Sequence, residues 1–200
     1  MDKEMNKELS TEEKIIEAAR NIFTQKGFSA TRTRDIAEEA GINLALLNYY
    51  FRSKKNLFRI IIEEKFDELF GMIGPILSDA NVSLEEKIET LVSNYTDLLL
   101  TNEDLAFFVL SEVKSNDFIL DKVKQNAQML SQPVIENQLR ERDFTISTLN
   151  FIMNIVSMTM FPFISKPLFV SSGLVKEEAF AEFVMNRKQH IPTWVMNTLK

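Results

Sequence analysis

The chain has no cysteine, which excludes disulfides, thiolate metal sites and thiol nucleophiles. It has one histidine, His190, with no partner motif near it, and catalysis needs a constellation rather than a single group. It also lacks a glycine-rich phosphate loop and a metal-spaced carboxylate set. The acidic pairs Glu85–Glu86 and Glu177–Glu178 fall at expected helix starts, where the macrodipole favours them. No catalytic residue, metal or cofactor is therefore expected. Glycine and proline are scarce, five of each in 200 residues, and no run alternates at period two for long, so the expected fold class is all-α. The N-terminal MDKEMNKELSTEEK is charged and has no apolar segment, so no signal peptide is expected. The most apolar stretch, 149–170, is broken by Asn150, Asn154, Pro162, Lys166 and Pro167, too polar to span a bilayer. A cytoplasmic location with no membrane partner follows.

Formal net charge is −6, which over the whole chain argues against nucleic acid. The distribution of that charge points the other way. Residues 20–59 carry 8 Lys and Arg against 3 Asp and Glu, a balance of +5, while 61–200 carry 12 against 20, a balance of −8. A basic N-terminal module precedes an acidic body, and phosphates respond to charge within a Debye length of about 10 Å.

Capping and periodicity predict about nine helices. Ser10 with Glu13 opens the first, Ile15, Ala19, Ile22 and Phe23 form its buried stripe, and Gly27 with Phe28 stops it. The second covers about Thr33 to Ala40, and the third runs from about Leu44 to Phe51 with Asn43 as N-cap. The fourth starts near Lys55 and loosens at Gly71, Gly74 and Pro75. Ser83 with Glu86 opens another helix, Asn102 precedes one over Leu105 to Val113, and Asn116 precedes a long one to Arg142 that Pro133 kinks or divides. Thr145 caps an apolar helix ending near Phe161, where Pro162 and Pro167 interrupt it. The last runs from about Lys176 to Lys188, with Pro192 setting off a terminal turn.

Residues 33–55, TRDIAEEAGINLALLNYYFRSKK, carry the functional signal. Around Gly41, which tolerates a left-handed turn, Ile36, Ala37, Ala40, Ile42, Leu47 and Tyr50 have helix-turn-helix spacing, an arrangement that places a short helix in the DNA major groove.

The longer stretch IIEAARNIFTQKGFSATRTRDIAEEAGINLALLNYYFRSKKNLF, residues 15–58, resembles the tetracycline-repressor (TetR) family of bacterial transcription regulators, about a quarter of the chain. The resemblance implies a three-helix DNA-binding domain at 1–54 and a larger helical ligand-binding and dimerisation domain at 55–200. It implies that Thr33 contacts phosphate, Arg34 a phosphate or base edge, Tyr49 and Tyr50 the backbone and groove, and Lys54 a phosphate. Hydroxyls and cations are groups that bind phosphate oxygens in any case. Asn43, as N-cap of the recognition helix, belongs to the same set. Where the family commonly has Lys or Arg, Gly, Thr and Tyr, this chain has Leu44, Ala45, Leu46 and Asn48. Asn48 and Arg34 then supply the direct base hydrogen bonds, and Leu44 and Ala45 touch thymine methyls. The alternative is a helical protein-interaction module that has lost specific DNA binding, a reading that Leu44 and Leu46 keep open.

Twelve of 16 Phe and seven of nine Met follow residue 60. They fill a helical core or line an apolar pocket, with Phe66, Phe107, Phe108, Met129, Phe151 and Met158 as candidates. The resemblance implies a small-molecule effector there, expected to be apolar, that releases DNA by tilting the fourth helix. One short recognition helix contacts few bases, so a homodimer on a palindromic operator is expected. Phe151, Ile155, Met158 and Thr159, with Phe180, Phe183, Val184 and Arg187, recur at helical spacing as the candidate interface, which the resemblance implies is a four-helix bundle.

Overall fold

The computed structural model describes residues 9–113, 117–126 and 133–199, and among these it is helical with no strand. The chain divides by packing into two compact units, 1–65 and 66–200.

The first unit opens with α1 (Thr11–Ala30), whose N-cap Ser10 accepts from Glu13 N–H while the Glu13 carboxylate accepts from Ser10 N–H. Gly27, at φ 72°, breaks the helix near its end, as a left-handed stop requires. Two short helices follow, α2 (Thr33–Glu39) and α3 (Leu44–Phe51), and then α4 (Lys54–Phe70). Ile15, Ala19, Ile22 and Phe23 of α1 are buried with Ile36, Ala37, Leu47 and Phe51. The first turns of α4 complete this core with Leu57, Phe58, Ile61 and Ile62, which is why the first packing unit extends to Lys65. The Phe58 ring sits 4.9 Å from Phe23, edge-on, and 4.8 Å from Phe28. α4 stops where a Cβ on Gly71 would stand 2.4 Å from the Asp67 carbonyl oxygen.

The second unit adds α5 (Ile73–Ser78), α6 (Leu84–Thr101), α7 (Leu105–Glu112), α8 (Asp117–Asn126), α9 (Pro133–Arg140), α10 (Thr148–Ile164), α11 (Lys166–Ser171), a 3-10 turn at Glu177–Ala179 and α12 (Phe180–Thr198). At its centre α6 packs against α5, α9, α10 and α12. Its stripe Leu84, Ile88, Leu91, Val92, Tyr95 and Leu99 is buried. Lys87, on the same helix, is fully buried, with Nζ donating to Gln138 Oε1 of α9 at 2.9 Å, while Gln138 Nε2 donates to the Val82 carbonyl at 2.8 Å. Burial pushes the Lys87 ammonium below its ordinary value, partly opposed by Asp79. Lys188 pairs with Asp97 at 2.6 Å, joining α12 to α6.

Twelve α-helices are present among the described residues where the sequence predicted about nine, because glycine and proline cut short segments such as α5 and α11. Pro133 begins α9, while Asn116 and residues 127–132 of the expected long helix lie outside the described residues. Ser147, not Thr145, caps α10. The last helix starts at Phe180 because Glu177–Ala179 form the 3-10 turn.

Two prolines expected to break helices do not. Pro162 lies inside α10 and Pro192 inside α12. An interior proline cannot donate to the carbonyl four residues back, which for Pro162 is that of Met158. That carbonyl accepts from Arg187 Nη2 at 3.0 Å instead, so a side chain from α12 replaces the missing backbone donor.

Candidate nucleic-acid interface

The turn between α2 and α3 has the geometry that its sequence requires. Ile42 N–H donates to the Ala37 carbonyl at 2.9 Å and Gly41 N–H to the Glu38 carbonyl at 3.1 Å, closing α2 with a Schellman pair. Gly41 takes φ 67° and is the left-handed residue of that pair. Asn43 Oδ1 then accepts from Leu46 N–H at 2.8 Å and starts α3. Leu47 and Phe51, one turn apart, face the core, and Ile42 is half-buried beside them.

Burying that face fixes what the opposite face presents. Leu44, Ala45, Asn48 and Tyr49 are exposed on α3, at the i, i+1, i+4, i+5 spacing of one helical face. Tyr49 is 79% exposed, and its ring stands 5.5 Å from that of Tyr50, which is 41% exposed. Tyr50 is therefore only partly packed. On α2, Arg34 is exposed and Thr33 half-buried at the first turn. The preceding Arg32 is exposed, and Lys26 pairs with Asp35 at 3.2 Å. That hydrogen bond from Lys26 holds the Asp35 carboxyl below the usual carboxylate range.

Lys54, expected to contact phosphate, turns its amino group toward the protein. Its Nζ donates to the carbonyls of Phe28 and Thr31, both at 2.8 Å, and lies 4.2 Å from the centre of the Phe28 ring. The exposed cations at the α3–α4 junction are instead Arg52, at φ 58°, and Lys55. They stand in the run FRSKK, but the sequence alone does not tell which of its three cations turns inward. Ser53 Oγ accepts from Asn56 N–H at 3.1 Å beside them.

In the second unit the expected interface residues Phe151, Ile155, Thr159, Phe180 and Val184 are buried within the protomer, because α10 and α12 turn these sides toward α6 and each other. Met158, Phe183 and Arg187 are half-buried. The apolar side chains that α10 and α12 do expose include Met153, Phe161, Met185 and Trp194. The Arg187 guanidinium lies 5.9 Å from the Phe183 ring and 5.2 Å from that of Trp194, which stacks on His190 at 5.7 Å.

Of the expected pocket residues, Phe66, Phe108 and Phe151 are buried core, Phe107 is 59% exposed, Met158 is half-buried, and Met129 lies outside the described residues. Two depressions lie elsewhere among the described residues. One of about 270 Å³ is lined by Leu139, Arg140, Phe144 and Thr148, and one of about 370 Å³ by Leu174, Val175, Glu182 and Phe183. Among the described residues no group of three or more His, Asp or Glu could hold a metal ion, and no helix is long and apolar enough to cross a membrane.

Residues 15–61 match the model of a family described as bacterial regulatory proteins, tetR family. Over nearly its whole length the chain is 27% identical to a protein of Bacillus subtilis named "Probable HTH-type transcriptional regulator YttP", covering 96% of this chain and 95% of that one. Among solved structures it resembles the transcriptional regulator FadR from Bacillus subtilis in complex with stearoyl-CoA, at a TM-score of 0.61 and 16% identity, covering 89% of this chain and 96% of that one. It also resembles the fatty acid degradation regulator FadR from Bacillus halodurans, at a TM-score of 0.61 and 18% identity, covering 93% and 96%.

Proposed function

We propose that the chain, whose residues 15–61 match the tetR family of bacterial regulatory proteins, is a repressor that binds a palindromic DNA operator as a homodimer and is released by an apolar small molecule. The observation that carries the reading is the face of α3. A helix that buries Leu47 and Phe51 while leaving Asn48 and Tyr49 open beside exposed Arg34, Arg52 and Lys55 is shaped for a groove between phosphates. The base-reading set is Arg34 and Asn48, with Leu44 and Ala45 against thymine methyls. Thr33, Tyr49, Tyr50, Arg52 and Lys55 hold the backbone, and Asn43 acts as the cap that starts the reading helix.

Dimerisation supplies the second half-site. The surface that supports it is the strip of α10 and α12 on which exposed Phe161 and Trp194 stand with half-buried Met158, Phe183 and Arg187. Because one Bacillus subtilis relative in fold was solved with stearoyl-CoA, a long acyl thioester is the first effector to try. The protein acts in the cytoplasm. Selection of duplexes from a random-sequence pool by the full-length chain tests the proposal. Recovery of an inverted repeat whose half-sites lie about one helical turn apart supports it, and recovery of nothing beyond the starting pool refutes it.

A further inference from the structure

The amino group of Lys54 occupies a place that the proposed function does not use. A cation in the first turn of a helix is opposed by the positive end of the macrodipole, yet Lys54 is the first residue of α4. Its side chain leaves that helix end and reaches the C-terminal end of α1, where carbonyls lack intrahelical donors and a cation is favoured. There Nζ donates to the carbonyls of Phe28 and Thr31, each at 2.8 Å, and lies over the Phe28 ring at 4.2 Å. Thr31 is itself fixed, 2% exposed, with Oγ1 donating to the Gly27 carbonyl at 2.7 Å. Only Arg32 separates Thr31 from the first residue of α2, Thr33. The ammonium therefore ties the start of α4 to the short link that aims the start of α2.

Resting on the DNA-binding reading, we propose that Lys54 is a positioning residue for DNA recognition: it holds the α1–α2 link so that Thr33 and Arg34 meet the DNA, and makes no phosphate contact of its own. An ammonium has three N–H groups. Two are engaged by carbonyls and the ring covers part of the remaining space, which distinguishes Lys54 from the exposed Arg52 and Lys55 on either side.

Counterion release separates a strut from a phosphate contact. Each lost phosphate contact lowers the slope of log K against log salt by about 0.9. The wild type, Lys54→Met and Lys54→Gln are titrated against a duplex selected by the wild type and against a random-sequence 30-bp duplex. Lys54→Met, isosteric but without donors, is expected to bind the selected duplex about tenfold more weakly with an unchanged slope. Lys54→Gln, uncharged but still a donor, is expected to recover most of that loss. In an Arg34→Ala background, Lys54→Met is expected to cost no more than about threefold, a coupling that mere loss of global stability does not produce. A slope reduced by about 0.9 in both variants overturns the proposal, as does full additivity with Arg34→Ala. Should Lys54→Met fail to fold, the slope of Lys54→Gln decides in the same way. A wild type that binds neither duplex refutes the DNA-binding reading itself, a result distinct from a wild type that binds and loses slope on substitution.

Discussion

Arg187→Met, made alone and together with Pro162→Ala, tests how α10 survives an internal proline. Pro162 has no N–H for the Met158 carbonyl, and Arg187 Nη2 donates to it at 3.0 Å. Removing the guanidinium leaves a part-buried carbonyl without a donor, at a cost of about 1–3 kcal/mol. It also ends two cation–π contacts, with Phe183 and Trp194, worth about 0.5–1 kcal/mol each at exposed sites. Against this, burial holds the Arg187 guanidinium below its ordinary pKa, so its removal relieves a desolvation cost. The single variant should therefore lose about 1–3 kcal/mol. In a Pro162→Ala background, residue 162 regains an N–H that can serve the Met158 carbonyl, and the guanidinium's hydrogen bond becomes redundant. The cation–π loss and the desolvation gain occur in both backgrounds and cancel, leaving a coupling of about 1–2 kcal/mol. Urea unfolding followed by circular dichroism, with all four proteins at one concentration because dimerisation shifts apparent stability, measures that coupling. Additivity within about 0.3–0.5 kcal/mol refutes the replacement of the backbone donor by Arg187.

Gly41→Ala should cost about 1–2 kcal/mol in thermal unfolding, since φ 67° strains any L side chain even where nothing lies within 4 Å of the added Cβ. No measurable loss would show that the turn relaxes freely. Asn48→Ala should lose roughly 1–3 kcal/mol on a selected duplex and little on random sequence; equal losses in anisotropy titrations would make Asn48 a backbone contact. Tyr95→Phe should be neutral or slightly stabilising by denaturant titration. The Tyr95 hydroxyl is buried with no hydrogen-bond partner among the described residues, and burial pushes its pKa up. A loss above about 1 kcal/mol would reveal a partner. Glu85 accepts from Arg142, which holds its carboxyl below the usual range. The stabilisation is present above the unfolded-state pKa and fades as pH falls through the lower folded-state value. For this half-exposed pair it is below about 1 kcal/mol, so Arg142→Ala should lower the melting temperature slightly at pH 7 and not at pH 2. An equal drop at both values contradicts it.

The N-terminal elements were legible because local rules set them. Ser10 with Glu13, the Gly41 turn and the Asn43 cap are interactions between residues three to five apart, and the sequence placed α3 at its observed bounds. Long-range partners were not legible. Pro162 reads as a helix breaker until Arg187, 25 positions later, appears beside Met158, and no local pattern places Lys54 Nζ against the carbonyls of Phe28 and Thr31. The residues expected at the dimer surface recur at helical period on α10 and α12, but period alone does not distinguish the side facing α6 from the side left open. Phe151, Ile155 and Phe180 therefore proved to be core while Phe161 and Trp194 are exposed.

Operator recognition requires α3 to enter a groove of double-stranded DNA, once from each of two chains. Fluorescence anisotropy of a selected duplex, titrated with the full-length protein at several salt concentrations, tests this most directly. Two chains per duplex and an affinity that falls steeply and linearly on log–log axes are expected, as phosphate neutralisation requires. Binding of a single chain, or an affinity indifferent to salt, contradicts it.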